Sequence, residues 1–118
     1  MRVDYFRATY RRAMATYGEP VVIRRTNRAP QQPTECTVRA RVTGYAPEEL
    51  VGGITQGERK VLILAEDLLA SGFPVPPRAG DSVVLRGGER VLRVMEVDNS
   101  TRRVGGVLLA YQMRAKGS

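Results

Sequence analysis

Two runs of strand-forming residues, DSVVLR at 81–86 and ERVLRVMEV at 89–97, are separated only by Gly87-Gly88. Tight mirror-image turns need positive φ at their central positions, and glycine supplies it without steric cost. The spacing therefore predicts a β-hairpin. A phosphate-cradling glycine loop would instead lead into a helix and close with Lys-Ser/Thr or a third spaced glycine. The chain continues as ERVLRV with neither, so the stretch is read as scaffold.

The rest of the chain supplies partners for that hairpin. VVIRRT at 21–26 predicts a strand, and NRAPQQPT at 27–34 is a polar, proline-rich loop. From Cys36 the alternation is clean: Cys36, Val38, Ala40 and Val42 share one face, and Thr37, Arg39, Arg41 and Thr43 share the other. That is a half-buried strand with a basic outer face, and Cys36 reads as a small core residue. RKVLILA at 59–65 predicts a strand buried on both faces, EDLLASG a short helix closed by Gly72, and FPVPPRAG a rigid connection. A second hairpin is expected through the turn formers DNSTR at 98–102. The last strand, VGGVLLAYQMRA, is expected to place Val107, Leu109, Tyr111 and Met113 on one face.

Ahead of the strands lies VDYFRATYRRAMATYG. Val3, Phe6, Tyr10, Ala13, Met14 and Tyr17 recur three and four apart, which predicts a helix with one apolar stripe. The stripe either packs on the chain's own core or docks on a neighbouring subunit. The fold expected is one mainly β domain over 1–118. It comprises a helix at 1–18 and a small barrel or sandwich of about six strands at 21–114, with a short central helix. Residues 46–58, APEELVGGITQGE, carry too many glycines for a helix and too many apolar residues for an inert linker. They read as a mobile loop or a ribbon that folds onto a partner, with Leu50, Val51, Gly52, Gly53 and Ile54 as its contact residues.

Composition narrows the chemistry. The 118 residues include no histidine and one cysteine, which excludes a Ser-His-Asp triad, an intramolecular disulfide and the usual zinc sites. No enzyme, cofactor or metal is expected. No apolar run is long enough to cross a bilayer and no leader-like segment opens the sequence, so neither membrane insertion nor export is expected. The net charge is +7, with nine arginines against three acids in residues 1–44. Arg24, Arg25, Arg28, Arg39 and Arg41 thus form a candidate basic face, for duplex DNA or for subunit contacts.

From about residue 44 onward the chain resembles the head–tail joining proteins of long-tailed phages, also called head completion, head closure or stopper proteins. The resemblance rests on Gln56-Gly57-Glu58-Arg59-Lys60-Val61, Pro77-Arg78-Ala79-Gly80-Asp81, Gly87-Gly88, Val91 to Val97, and Tyr111-Gln112. Glu58 stands where the family pattern has an aspartate. The resemblance implies a virion neck protein, assembled in the bacterial cytoplasm as a homo-oligomeric ring (hexamer or dodecamer). Its implied partners are portal or adaptor proteins on one side and a tail terminator or tail tube on the other, with non-specific double-stranded DNA in the channel. Gene transfer agents use the same parts. The alternative from charge and strand pattern alone is a small-barrel nucleic-acid-binding module with non-specific electrostatic binding.

Overall fold

Alternation closes the barrel. In a computed structural model describing residues 2–27, 31–44, 58–85, 90–98 and 102–117, inward-facing residues of six strands meet in one core. The elements are α1 (Arg2–Tyr17), β1 (Glu19–Arg25), β2 (Thr34–Gly44), β3 (Glu58–Leu64), α2 (Ala65–Ser71), β4 (Ser82–Leu85), β5 (Arg90–Asp98), β6 (Arg103–Val104), β7 (Val107–Leu108) and β8 (Ala110–Gly117). The strand order β1-β2-β3-β8-β5-β4 is a closed barrel with every neighbouring pair antiparallel. A barrel of this size has room for side chains and little else. Val21 and Ile23, Val38 and Ala40, Val61 and Ile63, and Leu92 and Val94 fill it, joined by Met113 and Ala115. Leu68 of α2 and Phe73, both buried, join the same core.

The apolar run of β3 has two customers. Val61 and Ile63 face the interior, while Leu64 is buried on the outside with Met14 and Ala110, where α1 lies across the barrel wall. Arg11 pairs with Glu66 and with Asp67 at 2.8 Å, tying α1 to α2. At the other end of α1, Arg39 donates to the carbonyl of Gly18, just past the helix, and at 3.5 Å to that of Met14, which also accepts the Gly18 N–H. Gly18 is required there by space. A Cβ at this position would stand 2.5 Å from the Met14 carbonyl oxygen.

Four details differ from the sequence reading. β5 pairs with β8, with Asp98 opposite Gln112, so DNSTR does not join two paired strands. The expected single last strand is split: Gly105 and Gly106, at φ of 57° and 80°, turn the chain into a β6–β7 ribbon before β8 begins. Consecutive left-handed glycines favour that turn over continued extension. Val107 is consequently exposed on the ribbon, whereas Tyr111 and Met113 face the core. Glu58 opens β3 instead of closing the preceding loop, and it is buried with Arg114 at 3.2 Å. Finally, β5 carries an irregularity between Val94 and Glu96, which makes Met95 an extra residue in the ladder. The bulge lets Glu96 reach Arg114 on the outside at 3.4 Å while Val97 still packs on the core. Strands β4 and β5 are antiparallel neighbours with Leu85 opposite Arg90, as the hairpin reading expects. Gly87-Gly88 themselves lie outside the described residues.

Candidate interaction surface

With the interior filled, the groups available to other molecules stand on the outer wall. The candidate arginines separate by strand parity. Arg24, facing out, meets Glu35 at 3.1 Å across the β1–β2 ladder. Arg25 continues the inward parity of Val21 and Ile23, and its side chain is only 12% exposed. Its Nε and Nη2 donate to the two carboxylate oxygens of Asp81, each at 2.9 Å, and the guanidinium lies 5.1 Å from the Phe73 ring centroid. The hydrogen bond to Asp81 holds the Arg25 pKa above the ordinary arginine value, against the opposing effect of burial. Arg25 therefore leaves the candidate basic face. It is a clamp between the end of β1 and the segment entering β4. Arg28 lies outside the described residues, as do Leu50, Val51, Gly52, Gly53 and Ile54 of the expected contact loop.

Arg39 and Arg41 do emerge on the outer face of β2. Arg39 is taken up by the end of α1, as described above. Arg41 lies over the Tyr17 ring, 5.1 Å from its centroid, an arrangement that orients a guanidinium without neutralising it. Beside it the β2–β3–β8 wall is dished. Arg41, Thr43, Lys60, Leu62, Arg102 and Gln112 surround a hollow of about 170 Å³. The register explains the grouping: Arg41 stands opposite Leu62, Leu62 opposite Gln112, and Thr43 opposite Lys60. Arg102 reaches in from the chain between β5 and β6, donating to Gln112 Oε1 at 2.8 Å and to the Tyr10 hydroxyl at 3.4 Å. Lys60, Arg102 and Gln112 were not among the expected site residues. The parity of β3 places Lys60 outward with Leu62, but no local pattern marks Arg102.

The helix stripe divides in the same way. Met14 is buried and Tyr10 half-buried against the chain's own barrel. Phe6 and Tyr17 remain 38% and 64% exposed, with Tyr5 edge-on to Phe6 at 5.5 Å between ring centroids. The side chain of Val3 lies outside the described residues. The middle of the stripe is thus core, and Phe6 and Tyr17 on either side of it are available surface.

Among the described residues no group of His, Cys, Asp and Glu is placed to hold a metal ion, and no helix is long and apolar enough to cross a membrane. In comparisons with known proteins, the chain matches no protein-family model and no curated protein.

Proposed function

We propose that this chain is a structural neck protein, a connector subunit that joins the DNA-filled head of a long-tailed phage or gene transfer agent to its tail. The reading starts from the resemblance carried by residues 56–61, 77–81, 87–88, 91–97 and 111–112. The observation that supports it best is the outer wall of β2, β3 and β8, where the cationic hollow lies beside exposed Tyr17 at one end of the α1 stripe. A closed antiparallel barrel has no free strand edge, so its contacts with neighbours are made by side chains. Exposed Phe6 and Tyr17 are of the type that anchors protein interfaces, and Arg41 beside Tyr17 suits a polyanion.

In this reading each subunit, at a net +7, contributes to a ring of six or twelve whose summed charge faces packaged duplex DNA. Contacts go to backbone phosphates and carry no sequence preference, as retention of DNA of any sequence requires. No residue performs a chemical step. The partners are portal or adaptor proteins above and a tail terminator or tail tube below, and the site of action is the virion neck. The test is reconstitution. The protein is mixed with a phage portal–adaptor complex, sedimented and imaged by negative-stain electron microscopy. A ring of added density at the portal's exit supports the proposal, and a protein that stays monomeric and free of the complex refutes it.

The same cationic hollow favours one second reading, a free-standing nucleic-acid-binding barrel. That reading requires salt-sensitive binding to free DNA or RNA, with a shallower salt slope when Arg39 and Arg41 are neutralised. Binding no stronger than that of an equally basic control protein removes it.

A further inference from the structure

We infer that the hollow on the β2–β3–β8 wall is a binding site for a phosphate group, held chiefly by Arg41 and Arg102 with Thr43 and Gln112. The inference rests on these side chains alone and stands or falls independently of the neck reading.

Three chain segments bring like charges together here: Arg41 from β2, Lys60 from β3, and Arg102 from the connection after β5. Holding cations around one concavity is unfavourable unless something of opposite charge enters it. Among the described residues, the acid that shares this row of the wall, Asp98, stands opposite Gln112 on the β5 side. It lies three strand spacings from β2, roughly 14 Å, on the far side of the hollow from Arg41. Asp98 and Lys60 each have an interaction of their own, so Lys60 is counted for its charge at the rim and not as a free donor.

The two arginines are already oriented. Arg41 is stacked on Tyr17, and Arg102 is held by Gln112 and the Tyr10 hydroxyl. Preorganised guanidinium groups offer forked N–H donors that match the oxygens of a phosphate, with less entropy lost on binding than a flexible lysine would lose. Arg102 Nε is also buried without a hydrogen-bond partner among the described residues, a state it shares with Arg24 Nε and Arg114 Nε, but of the three only Arg102 lines the hollow. A buried donor without a partner is costly, and an entering oxyanion supplies the acceptor. Thr43 adds a hydroxyl and Gln112 an amide N–H₂, whose oxygen is already occupied by Arg102. At about 170 Å³ the hollow has room for a tetrahedral oxyanion and several of its waters. The bound group is either a small phosphate compound or a phosphate of a nucleic-acid backbone, and the two sources are separated by the probes below.

The test is a ¹⁵N NMR titration of the whole chain with inorganic pyrophosphate, at constant ionic strength set by sodium chloride, followed by a short DNA duplex. Amide shifts are expected to concentrate at residues 41, 43, 60, 62, 102 and 112. Arg41→Gln and Arg102→Gln are each expected to weaken pyrophosphate binding roughly tenfold, as loss of a charge-assisted hydrogen bond does. Arg12→Gln, an exposed change on α1, is expected to leave it unaltered. Arg41 is exposed, so its variant serves even if replacement of the more buried Arg102 disturbs folding. Displacement of pyrophosphate by the duplex assigns the site to nucleic-acid phosphates. Pyrophosphate binding that the duplex does not displace assigns it to a small phosphate compound. Shifts spread over all surface arginines, or equal binding by wild type and Arg41→Gln, overturn the inference.

Discussion

Replacing Asp81 by alanine removes the acceptor of a buried ion pair and leaves its partner in place. Asp81 is 3% exposed at its side chain and Arg25 12%, so the pair is largely shielded from solvent. The substitution leaves the Arg25 guanidinium without its carboxylate, with the Pro76 carbonyl at 3.3 Å as a remaining acceptor, and also removes the acceptor of the Arg78 backbone N–H, which Asp81 Oδ2 takes at 2.9 Å. Removing one member of a buried pair costs about 3–5 kcal/mol. At about 2.1 cal/mol/K of unfolding entropy per residue, a chain of 118 residues loses roughly 4 °C of Tm for each kcal/mol. Asp81→Ala should therefore lower Tm by about 12–20 °C in differential scanning calorimetry. Arg24→Gln is the control. Its bridge to Glu35 has both side chains more than a third exposed, and its loss should cost at most about 1 kcal/mol. Pairing Asp81→Ala with Arg25→Met should recover part of the loss, because the stranded charge is gone. The sign of the pH dependence is also fixed. The Arg25 pKa is raised in the folded state, so its contribution is fully present below the ordinary arginine value and fades only as pH rises through the raised one. The Tm gap between wild type and Asp81→Ala should therefore persist from about pH 7 to about pH 10. A gap no larger than that of Arg24→Gln would refute the reasoning, because the clamp would then be a surface contact.

Four further changes probe the rest of the scaffold. Gly18→Ala should destabilise by about 1–3 kcal/mol in chemical denaturation, because the new Cβ meets the Met14 carbonyl, a backbone atom, at 2.5 Å. Arg11→Ala should speed amide exchange along α1 while lowering global stability by less than about 1 kcal/mol, since its pairs with Glu66 and Asp67 are partly solvated. Deleting Met95 should preserve the fold by circular dichroism and NMR, since Val94, Glu96 and Val97 keep their partners and faces. Deleting Arg93 instead shifts Leu92 or Val94 out of the core and should unfold the barrel.

The local signals in the sequence were strong where a strand is half-buried. The alternation from Cys36 to Thr43 gives β2 and its outward arginines directly, and DSVVLR with ERVLRV gives the β4–β5 pair. What joins β3 to β8 and β1 to β4 is long-range, and no nearby residue encodes it. Adjacent, chemically identical Arg24 and Arg25 have opposite fates because strand parity sends one to solvent and the other beneath Asp81. Parity from Val21 and Ile23 carries that signal, but Asp81 in its Gly-Asp turn reads as surface until the segment is seen folded against β1. The glycines of VGGV were legible as turn formers, yet the valines and leucines around them read as one strand. Arg102 meets Arg41 because the pairings of β2 with β3, β3 with β8 and β8 with β5 lay these strands side by side. The cationic hollow is therefore a property of topology, not of any motif.

We propose this barrel as a building block of a neck, and the neck itself is where that proposal is read. The most direct measurement is a cryo-electron-microscopy reconstruction of the neck in assembled particles produced by the genome that encodes the chain. A closed ring of six or twelve copies is expected around the DNA axis between portal and tail, with this barrel and its α1 fitting the density. A neck fully accounted for by other proteins, with no ring into which the barrel fits, would contradict it.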